Sequence, residues 1–304
     1  MAGMDEIEFG GRVVIVTGAG SGLGRSHALE FARRGAQVVV NDLGGAVDGT
    51  GSGQAAADQV VEEIEKAGGT AVANYDSVST PEGGEGITKT ALDNFGRVDV
   101  LINNAGILRD RSFAKMSPEE VAAVLDVHLR GAFFASQPAF RAMKGESFGR
   151  IVFTASAAGV FGNFGQANYG AAKMGLVGLS NVLAQEGVKA NITSNVIVPI
   201  ARTRMTEGIM DGLGLKLDPA YVTAMVCFLA SEQCELTHEI FSVGAGRYAR
   251  VFVGLCEGWS DPEADAISAE DVAAHIEKIR DPEGYSIPGS AADEIGAAMQ
   301  SLKR

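Results

Sequence analysis

Short runs rich in β-branched residues recur along the chain, and segments long enough to form helices separate them. Strands that are apolar on both faces and alternate with helices are typical of a parallel sheet covered on both sides. The pattern therefore predicts a doubly wound α/β fold of three layers, α/β/α, with ligands bound beyond the carboxyl ends of the strands. The predicted strands lie at residues 12–17, 36–42, 69–76, 98–106, 149–156, 191–199 and 239–243.

The segments between these runs carry helical patterns. The segment SPEE at 117–120 is a capped helix start, with a serine cap and a proline in the first turn. Residues 1–249 are predicted to form one domain, and the more polar residues 250–304 an appendage of the same domain. The predicted helices lie at residues 23–34, 54–67, 85–95, 118–143, 168–188 and 219–230.

Charge and cysteine content narrow the choice of partners. The formal net charge is -13, whereas nucleic acids and anionic membranes attract clustered cations, so we expect neither as a partner. Cys227, Cys234 and Cys256 show no spacing that would complete a metal site. The acidic start MAGMDEIEFGGR is unlike a signal peptide, and no long apolar run occurs. We therefore expect a cytoplasmic, metal-free protein that binds a small molecule.

A glycine-rich segment, VIVTGAGSGLGRS, follows the first predicted strand and opens the first predicted helix. Glycines at this point let the backbone approach a pyrophosphate, and the N–H groups at the helix start then face the anion. Strand, glycines and helix in this order predict the phosphate-binding turn of a Rossmann fold, and a tight turn without a ligand is the alternative. The candidate cofactor-binding residues are Gly18, Gly20, Ser21, Gly22, Leu23 and Gly24.

Later strand ends supply further candidates for a dinucleotide site. Asp42 ends the second strand, where a carboxylate can accept the hydroxyls of an adenosine ribose and would repel a 2′-phosphate. Ser21 occupies a loop position where a cation could bind such a phosphate. NAD is therefore favoured over NADP as the cofactor. Asp76 is placed to accept the adenine amino group. A turn-forming role is the alternative for Asp42 and for NNAG at 103–106. The candidates in these segments are Asp42, Asp76, Ser77, Val78, Asn104, Ala105 and Gly106.

Tyr169 and Lys173 lie one helical turn apart, with only small residues between them. Because positions i and i+4 share a helix face, both side-chain heads can reach one small ligand, and a solvated surface pair is the alternative. A tyrosine that acts as a base near neutrality needs its pKa lowered by roughly 3 units, or about 4 kcal/mol. We expect Lys173 and the positive charge of an oxidised nicotinamide to supply this stabilisation.

Together these motifs resemble those of the short-chain dehydrogenase/reductase family. They are TGxxxGxG at 17–24, NNAG at 103–106 and YxxxK at 169–173, with Ser156 thirteen residues before Tyr169, and the resemblance covers residues 10 to about 245. It implies that Tyr169 transfers the proton and that Ser156 binds the substrate oxygen. It also implies that Lys173 holds the nicotinamide ribose and that NAD accepts the hydride.

The sequence departs from the usual family pattern at two positions. His128, in HLRG, stands where most members have an asparagine that helps to hold a water in a proton relay behind the lysine. A neutral imidazole can take this role, and a buried histidine satisfied by backbone groups is the alternative. At the second position, Ile200 follows Pro199 where glycine is usual, which brings a bulkier side chain near the nicotinamide.

A closer resemblance is to the D-3-hydroxyacyl-CoA dehydrogenases of β-oxidation, a group also described as hydroxysteroid dehydrogenases. It is carried by ANYDSV, NNAGILRDRSFAKMS, VHLRGAFF, GNFGQANYGAAK and VGAG. It implies an acyl-CoA substrate, with a hydroxysteroid as the alternative and an NAD(H)-binding redox sensor as the alternative of another class. It also implies a homo-oligomer, either a dimer or a tetramer. We expect residues 200–219 to form a lid that selects the substrate.

Overall fold

The computed structural model describes residues 6–201 and 217–301, and the chain divides into two compact units after Arg250. The first unit contains an eight-stranded sheet in the order β3-β2-β1-β4-β5-β6-β7-β8, in which β1 to β7 pair in parallel. This sheet, flanked by helices, confirms the predicted doubly wound α/β fold. The strands are β1 (Val13–Thr17), β2 (Gln37–Asn41), β3 (Thr70–Asn74), β4 (Val100–Asn103), β5 (Gly149–Thr154), β6 (Ile192–Ile200), β7 (Ile240–Gly244) and β8 (Arg247–Val251).

The central strands are buried along their whole length, which explains their continuous apolar runs. Alternate residues such as Val14 and Val16 pack with Phe31 and Val226 in one large core cluster. The register aligns the strand ends, because Thr17 pairs with Asn41 and Asn41 with Asn74. The loops that follow these strands consequently leave the sheet along one edge.

Helices form at each predicted position. Short 3₁₀ turns occur at Phe113–Lys115 and Val188–Ala190. The helices of the first unit are α1 (Gly22–Arg33), α2 (Ala55–Lys66), α3 (Pro81–Phe95), α4 (Pro118–Leu125), α5 (Gly131–Glu146), α6 (Ala157–Val160), α7 (Ala167–Gly187) and α8 (Ala220–Ala230).

Helix α3 begins at Pro81, earlier than the predicted residue 85. The hydroxyl of Thr80 accepts the N–H of Gly83, and Pro81 fits the first turn because it needs no hydrogen-bond donor. The glycines in this turn have low helix propensity, which hides the start in the sequence. They are required by packing, since a Cβ on Gly84 would lie 2.1 Å from the backbone oxygen of Phe134 in α5.

The predicted helix at 118–143 is interrupted. A π-helical turn at Asp126–Arg130 separates α4 from α5, and the N–H of Gly131 bonds to the carbonyl of Asp126. Such turns place one extra residue in a helix and re-aim the side chains they carry. Here the π-helical turn carries His128, which is buried.

The second unit, residues 251–304, contains α9 (Ala269–Ala274), α10 (Ile276–Ile279) and α11 (Ala291–Ser301). The rings of Trp259 and His275 stack with their centroids 4.0 Å apart. None of the described residues from 252 to 301 is fully buried. That residues 250–304 are an appendage of the first domain stays a prediction. No helix in the described part of either unit is long and apolar enough to cross a bilayer.

Candidate active site

A pocket of about 340 Å³ opens at the edge of the sheet where β1 to β6 end. Every predicted site residue except Gly20 and Gly24 contributes to its lining. Those that line it are Gly18, Ser21, Gly22, Leu23, Asp42, Asp76, Ser77, Val78, Asn104, Ala105, Gly106, His128, Ser156, Tyr169 and Lys173.

The glycine-rich segment between β1 and α1 has no room for a side chain at Gly18 or Gly24. Gly18 has a φ of 65°, and a Cβ there would lie 2.8 Å from the Cα of Ala105. A Cβ on Gly24 would lie 2.1 Å from the backbone oxygen of Gly18. The turn is therefore closed tightly onto the start of α1, whose N-terminal end borders the pocket. Because no side chain covers the backbone at these glycines, the turn fits a pyrophosphate bound at the start of α1.

The carboxylate of Asp42 is tied to the backbone on both sides. Its Oδ2 accepts the N–H of Gly20 and its Oδ1 accepts the N–H of Gly44, each at 2.7 Å. A Cβ on Gly20 would lie 2.8 Å from this carboxylate, so glycine is required there although Gly20 does not line the pocket. Asp42 thus holds the glycine-rich turn in shape and also places a negative charge at the end of β2.

Two buried asparagines, which the sequence did not single out, support Asp76. The side-chain amide of Asn74 donates to the Oδ2 of Asp76 at 2.8 Å. Asn41 donates to the carbonyl of Asp76 at 2.9 Å and to the Oδ1 of Asn74 at 2.8 Å. The Asp76 carboxylate lies against Gly86, where a Cβ would approach it to 2.3 Å. Both asparagines end strands, and this position is the signal that could have identified them.

The NNAG segment holds the glycine-rich turn from the opposite side. Asn104 donates from its side chain to the backbone oxygens of Thr17 and Gly18, at 3.0 and 3.2 Å. The hydroxyl of Thr17 accepts the N–H groups of Asn104 and Ala105. NNAG therefore clamps the carboxyl end of β1, which goes beyond the simple turn considered as its alternative.

Ser156, Tyr169 and Lys173 come together in the same pocket. Ser156 caps α6, and its hydroxyl accepts the N–H of Ala158 at 3.2 Å. The ammonium of Lys173 lies 5.5 Å from the centre of the Tyr169 ring and donates to the carbonyl of Thr154 at 2.5 Å. Tyr169 and Lys173 therefore do not form the solvated surface pair considered as an alternative, since Lys173 is only 3% exposed.

Asn168, a buried residue that the sequence did not suggest, fixes the start of α7. Its side-chain amide donates to the carbonyls of Arg109 and Glu120, each at 3.1 Å. Its Oδ1 accepts the N–H of Tyr169 at 2.8 Å. These bonds hold Tyr169 at a defined depth in the pocket.

Burial dominates the proton affinities of the Tyr169–Lys173 pair. Burial lowers the pKa of Lys173 from 10.5 to about 7, because the ammonium is removed from water. Burial also raises the pKa of Tyr169, and a hydrogen bond with Ser156 opposes this rise. The lowered tyrosine pKa expected from the sequence is therefore not produced by the protein groups alone, since desolvation outweighs the hydrogen bond.

His128 is pinned to the backbone that follows β4. Its Nε2 lies 3.0 Å from the nitrogen of Ile107 and 2.8 Å from its carbonyl oxygen. Its Nδ1 is buried and has no hydrogen-bond partner among the described residues. Burial and the nearby Lys173 lower its pKa well below the usual value, so the ring is neutral. The ring also contacts Tyr169 edge-on, with the centroids 5.1 Å apart.

The loop after β2 also borders the pocket. Val47 accepts the N–H of Leu108 at 2.9 Å, and the guanidinium of Arg109 donates to the carbonyl of Asp48 at 2.9 Å. The glycine-rich segment GGAVDGTGSG could have suggested such a loop. The lining residues that were not among the predicted site residues are Asn41, Leu43, Gly45, Ala46, Val47, Gly49, Ser79, Ile107, Val127, Thr154, Ala155, Pro199 and Ala201.

The predicted lid at 200–219 lies largely outside the described residues, which stop at Ala201 and resume at Leu217. The pocket lining includes Pro199 and Ala201, at the point where that segment begins. The lid itself stays a prediction.

Comparison with known proteins agrees with the motifs. Residues 12–213 match the family described as short chain dehydrogenase. The peroxisomal multifunctional enzyme type 2 of Mus musculus is 49% identical, over 98% of this chain and 40% of that enzyme. The hydroxyacyl-CoA dehydrogenase ChsB1 of Mycobacterium tuberculosis is 40% identical over 78% of each chain.

A solved structure is similar along nearly the whole chain. The full-length peroxisomal multifunctional enzyme type 2 from Drosophila melanogaster matches with a TM-score of 0.83 and 40% sequence identity, over 98% of this chain and 50% of that one. This chain thus spans half or less of the length of these two multifunctional relatives. The family match, the identities and the fold agree with the motif-based prediction, and the chain belongs to the short-chain dehydrogenase family.

Proposed function

We propose that this chain is an NAD-dependent dehydrogenase that oxidises the hydroxyl group of a D-3-hydroxyacyl-CoA to a ketone. The observation that carries the proposal is that Ser156, Tyr169 and Lys173 line the same pocket as the glycine-rich turn. An alcohol dehydrogenase needs a proton-transfer group and a dinucleotide-binding turn in one site. Family membership and the relative named as a hydroxyacyl-CoA dehydrogenase support this reaction class.

The residues around the pocket fit a dinucleotide. The start of α1 would hold the pyrophosphate, Asp42 the adenosine ribose, Asp76 the adenine, and Tyr169 with Lys173 the second ribose. The negative charge of Asp42 beside the glycine-rich turn favours NAD, because a 2′-phosphate would be repelled there. When bound, oxidised nicotinamide supplies a hydride acceptor and a positive charge.

The protein groups divide the remaining work. The substrate carbon loses a hydride and its hydroxyl loses a proton, which the Tyr169 phenolate accepts. Ser156 holds the substrate oxygen and stabilises the charge that develops on it. A protonated Lys173 favours the phenolate by Coulomb attraction. Because burial raises the pKa of Tyr169, this charge is needed for the residue to act as a base.

A second, small cavity supports a proton relay behind this pair. It is lined in part by His128, Lys173 and Thr17, and its volume of about 10 Å³ is at the lower limit of what a single water molecule needs. The unpartnered Nδ1 of His128 gives such a water a hydrogen-bond partner. We propose that protons leave Tyr169 through Lys173 and this cavity.

The experiment is a spectrophotometric assay of NADH formation. Substrates are D- and L-3-hydroxyacyl-CoA thioesters of several chain lengths and a set of hydroxysteroids, each tested with NAD and with NADP. We expect turnover of the D-thioesters with NAD. If only the hydroxysteroids are oxidised, the substrate is a hydroxysteroid and the proposed acyl-CoA substrate is wrong. Tight NAD binding without turnover of any alcohol would indicate a redox sensor.

Tyr169→Phe is the variant that tests the mechanism, because it removes only the hydroxyl. Loss of proton transfer typically costs roughly 10²–10⁴-fold in rate. Tyr248→Phe is the matched control, since Tyr248 is 45% exposed and does not line the pocket. Unchanged oxidation by Tyr169→Phe would contradict the assigned role of this residue.

We also propose that the chain forms a homo-oligomer, a dimer or a tetramer, through its long helices. Phe133 on α5 and Val182 on α7 are about half exposed, at 50% and 51%, and are apolar, as an interface requires. Light scattering measures the mass directly, and a monomer at micromolar concentration would refute the proposal.

A cytoplasmic location is likewise proposed, and fractionation of cells that express the chain tests it.

A further inference from the structure

Thr154, the last residue of β5, carries a hydroxyl that the described structure leaves unbonded. The residue is 6% exposed, and its Oγ1 has no hydrogen-bond partner within residues 6–201 and 217–301. A buried hydroxyl without a partner costs free energy, so buried polar groups in native proteins are almost always bonded. Thr154 also lines the large pocket. The unpartnered hydroxyl therefore belongs to a residue that lines the pocket.

The position of Thr154 identifies the end of the pocket to which it belongs. Its backbone carbonyl accepts the ammonium of Lys173 at 2.5 Å, and Ser156 follows two residues later. It also pairs in register with Ile197, near the end of β6. The adenosine side, marked by Asp42, lies at the end of β2, which three other strands separate from β6. Thr154 thus lies at the reacting end.

We infer that the Thr154 hydroxyl binds the nicotinamide riboside half of the dinucleotide. A threonine hydroxyl rotates to donate or accept, so both the ribose hydroxyls and the carboxamide are suitable partners. The inference rests on the proposed function, because it requires that this pocket bind NAD(H). It adds a binding residue that none of the sequence motifs includes.

Thr193 provides a matched control. It is 8% exposed, and its Oγ1 also has no hydrogen-bond partner within the described part of the chain. It lies on β6, the strand next to β5, but near the opposite end, where it pairs with Arg150. It does not line the pocket. Thr→Val at the two positions removes the same group from a buried site, and only one of the two residues lines the pocket.

The experiment compares full-length Thr154→Val, Thr154→Ser and Thr193→Val with the wild type. Affinities for NADH, ADP-ribose and AMP are measured by calorimetry, and the unfolding temperature of the free protein is recorded. Losing one hydrogen bond weakens binding by roughly 3- to 10-fold, which is expected for NADH with Thr154→Val. Thr154→Ser keeps the hydroxyl and should bind NADH as the wild type does. Thr193→Val should also bind normally.

The shorter ligands locate the contact. If Thr154→Val binds both ADP-ribose and NADH more weakly than the wild type, the hydroxyl contacts the ribose. If only the affinity for NADH falls, the hydroxyl contacts the carboxamide. Both results support the inference. AMP lacks the nicotinamide riboside half and should bind all proteins equally. The free Thr154→Val protein should unfold at the same or a higher temperature, because an unsatisfied hydroxyl has been removed.

Two results would overturn the inference. One is an unchanged NADH affinity in Thr154→Val, and the other is an equal loss for AMP, which would reveal a general distortion of the pocket. Failure of the proposed function is a separate result, because in that case the wild type itself would not bind NADH.

Discussion

The Nε2 of His128 lies 2.8 Å from the carbonyl oxygen of Ile107 and 3.0 Å from its backbone nitrogen. A neutral ring nitrogen either donates or accepts, so it satisfies one of these groups at a time. The contact joins the π-helical turn to the segment that follows β4. It leaves Gly106 packed against the ring, where a Cβ would lie 2.3 Å from the His128 Cε1.

Gly106→Ala should therefore displace the His128 ring. Overpacking of this kind costs about 1–3 kcal/mol in the free energy of unfolding, measured by urea denaturation. Turnover should fall as well, since the ring contacts Tyr169. Gly178→Ala in α7 is the control, because a Cβ there meets no atom within 4 Å. Alanine should stabilise that helix by about 0.5–1 kcal/mol. Equal effects of the two substitutions would contradict the close packing at Gly106.

Lys173→Met should abolish turnover but stabilise the protein. The folded-state pKa of about 7 lies below the usual 10.5, so the unfolded chain binds the extra proton between these pH values. Wild-type stability therefore rises with pH across this window, by up to about 5 kcal/mol in total. At pH 7 and below, removing the buried charge should yield a gain of about 1–3 kcal/mol after the lost bond to Thr154 is subtracted.

The measurement is urea unfolding of both proteins from pH 6 to pH 10. The difference should shrink as the pH rises and the wild-type lysine loses its proton. A variant that is less stable at pH 7, with the same dependence on pH as the wild type, would show that the buried ammonium is not destabilising.

His27 should make the fold sensitive to acid. This residue lies on α1 and is fully buried, and its Nδ1 lies 2.8 Å from the hydroxyl of Thr223 on α8. Burial lowers the pKa of His27 from 6.5 to about 3. The folded state resists protonation of His27. The contribution of this residue to the free energy of unfolding is therefore fully present above pH 6.5 and is lost as the pH falls toward 3. The slope for this one residue is about 1.4 kcal/mol per pH unit.

His27→Gln should remove that slope while keeping a polar partner for Thr223. Urea unfolding between pH 7 and pH 4 measures it. His275→Gln, at a half-buried site in the second unit, should leave the slope unchanged. The same slope in wild type and His27→Gln would exclude His27 as the source, and the buried His128 would be the next residue to test.

Asp42→Ser should shift the cofactor preference. If Asp42 binds the adenosine ribose as proposed, the substitution removes a charge that would repel a 2′-phosphate. The ratio of kcat/KM for NADP to that for NAD should then rise roughly tenfold or more, that is, by about 1.4 kcal/mol. Asp48→Ser makes the same change of charge in the following loop, at a residue that does not line the pocket, and should leave the ratio unchanged. Equal ratios in all three proteins would contradict the assignment of Asp42.

The two directions of the reaction should respond oppositely to pH. In the proposed mechanism alcohol oxidation needs the Tyr169 phenolate, and burial raises the pKa of the Tyr169 phenol. The phenolate in turn favours the protonated form of Lys173, so the oxidation rate should increase from neutral to alkaline pH while this pair is charged. Ketone reduction needs the protonated phenol and should slow over the same range. Initial rates in both directions test this, and parallel profiles would indicate that another group carries the proton.

Much of the fold and part of the candidate site could be predicted because their causes are local. Buried parallel strands need continuous apolar runs, so β1 to β7 were found to within a few residues, whereas the more exposed β8 was not predicted. The glycine-rich turn was found because only glycine permits the close approach of Gly24 to the backbone of Gly18. The i, i+4 spacing likewise places Tyr169 and Lys173 on one face of α7. Each of these features depends on a few neighbouring residues.

Other features depend on where distant segments meet, and only the tertiary structure reveals them. Asn41 and Asn74 look like ordinary strand ends until the register aligns them beneath Asp76. Thr154 and Thr193 are equally unremarkable in the sequence, and one of these residues lines the pocket while the other does not. The pKa of Lys173 depends on how many atoms surround it. The amino-acid sequence by itself determined which chemical groups are available, whereas burial and pairing, which set their energies, were decided by the path of the chain.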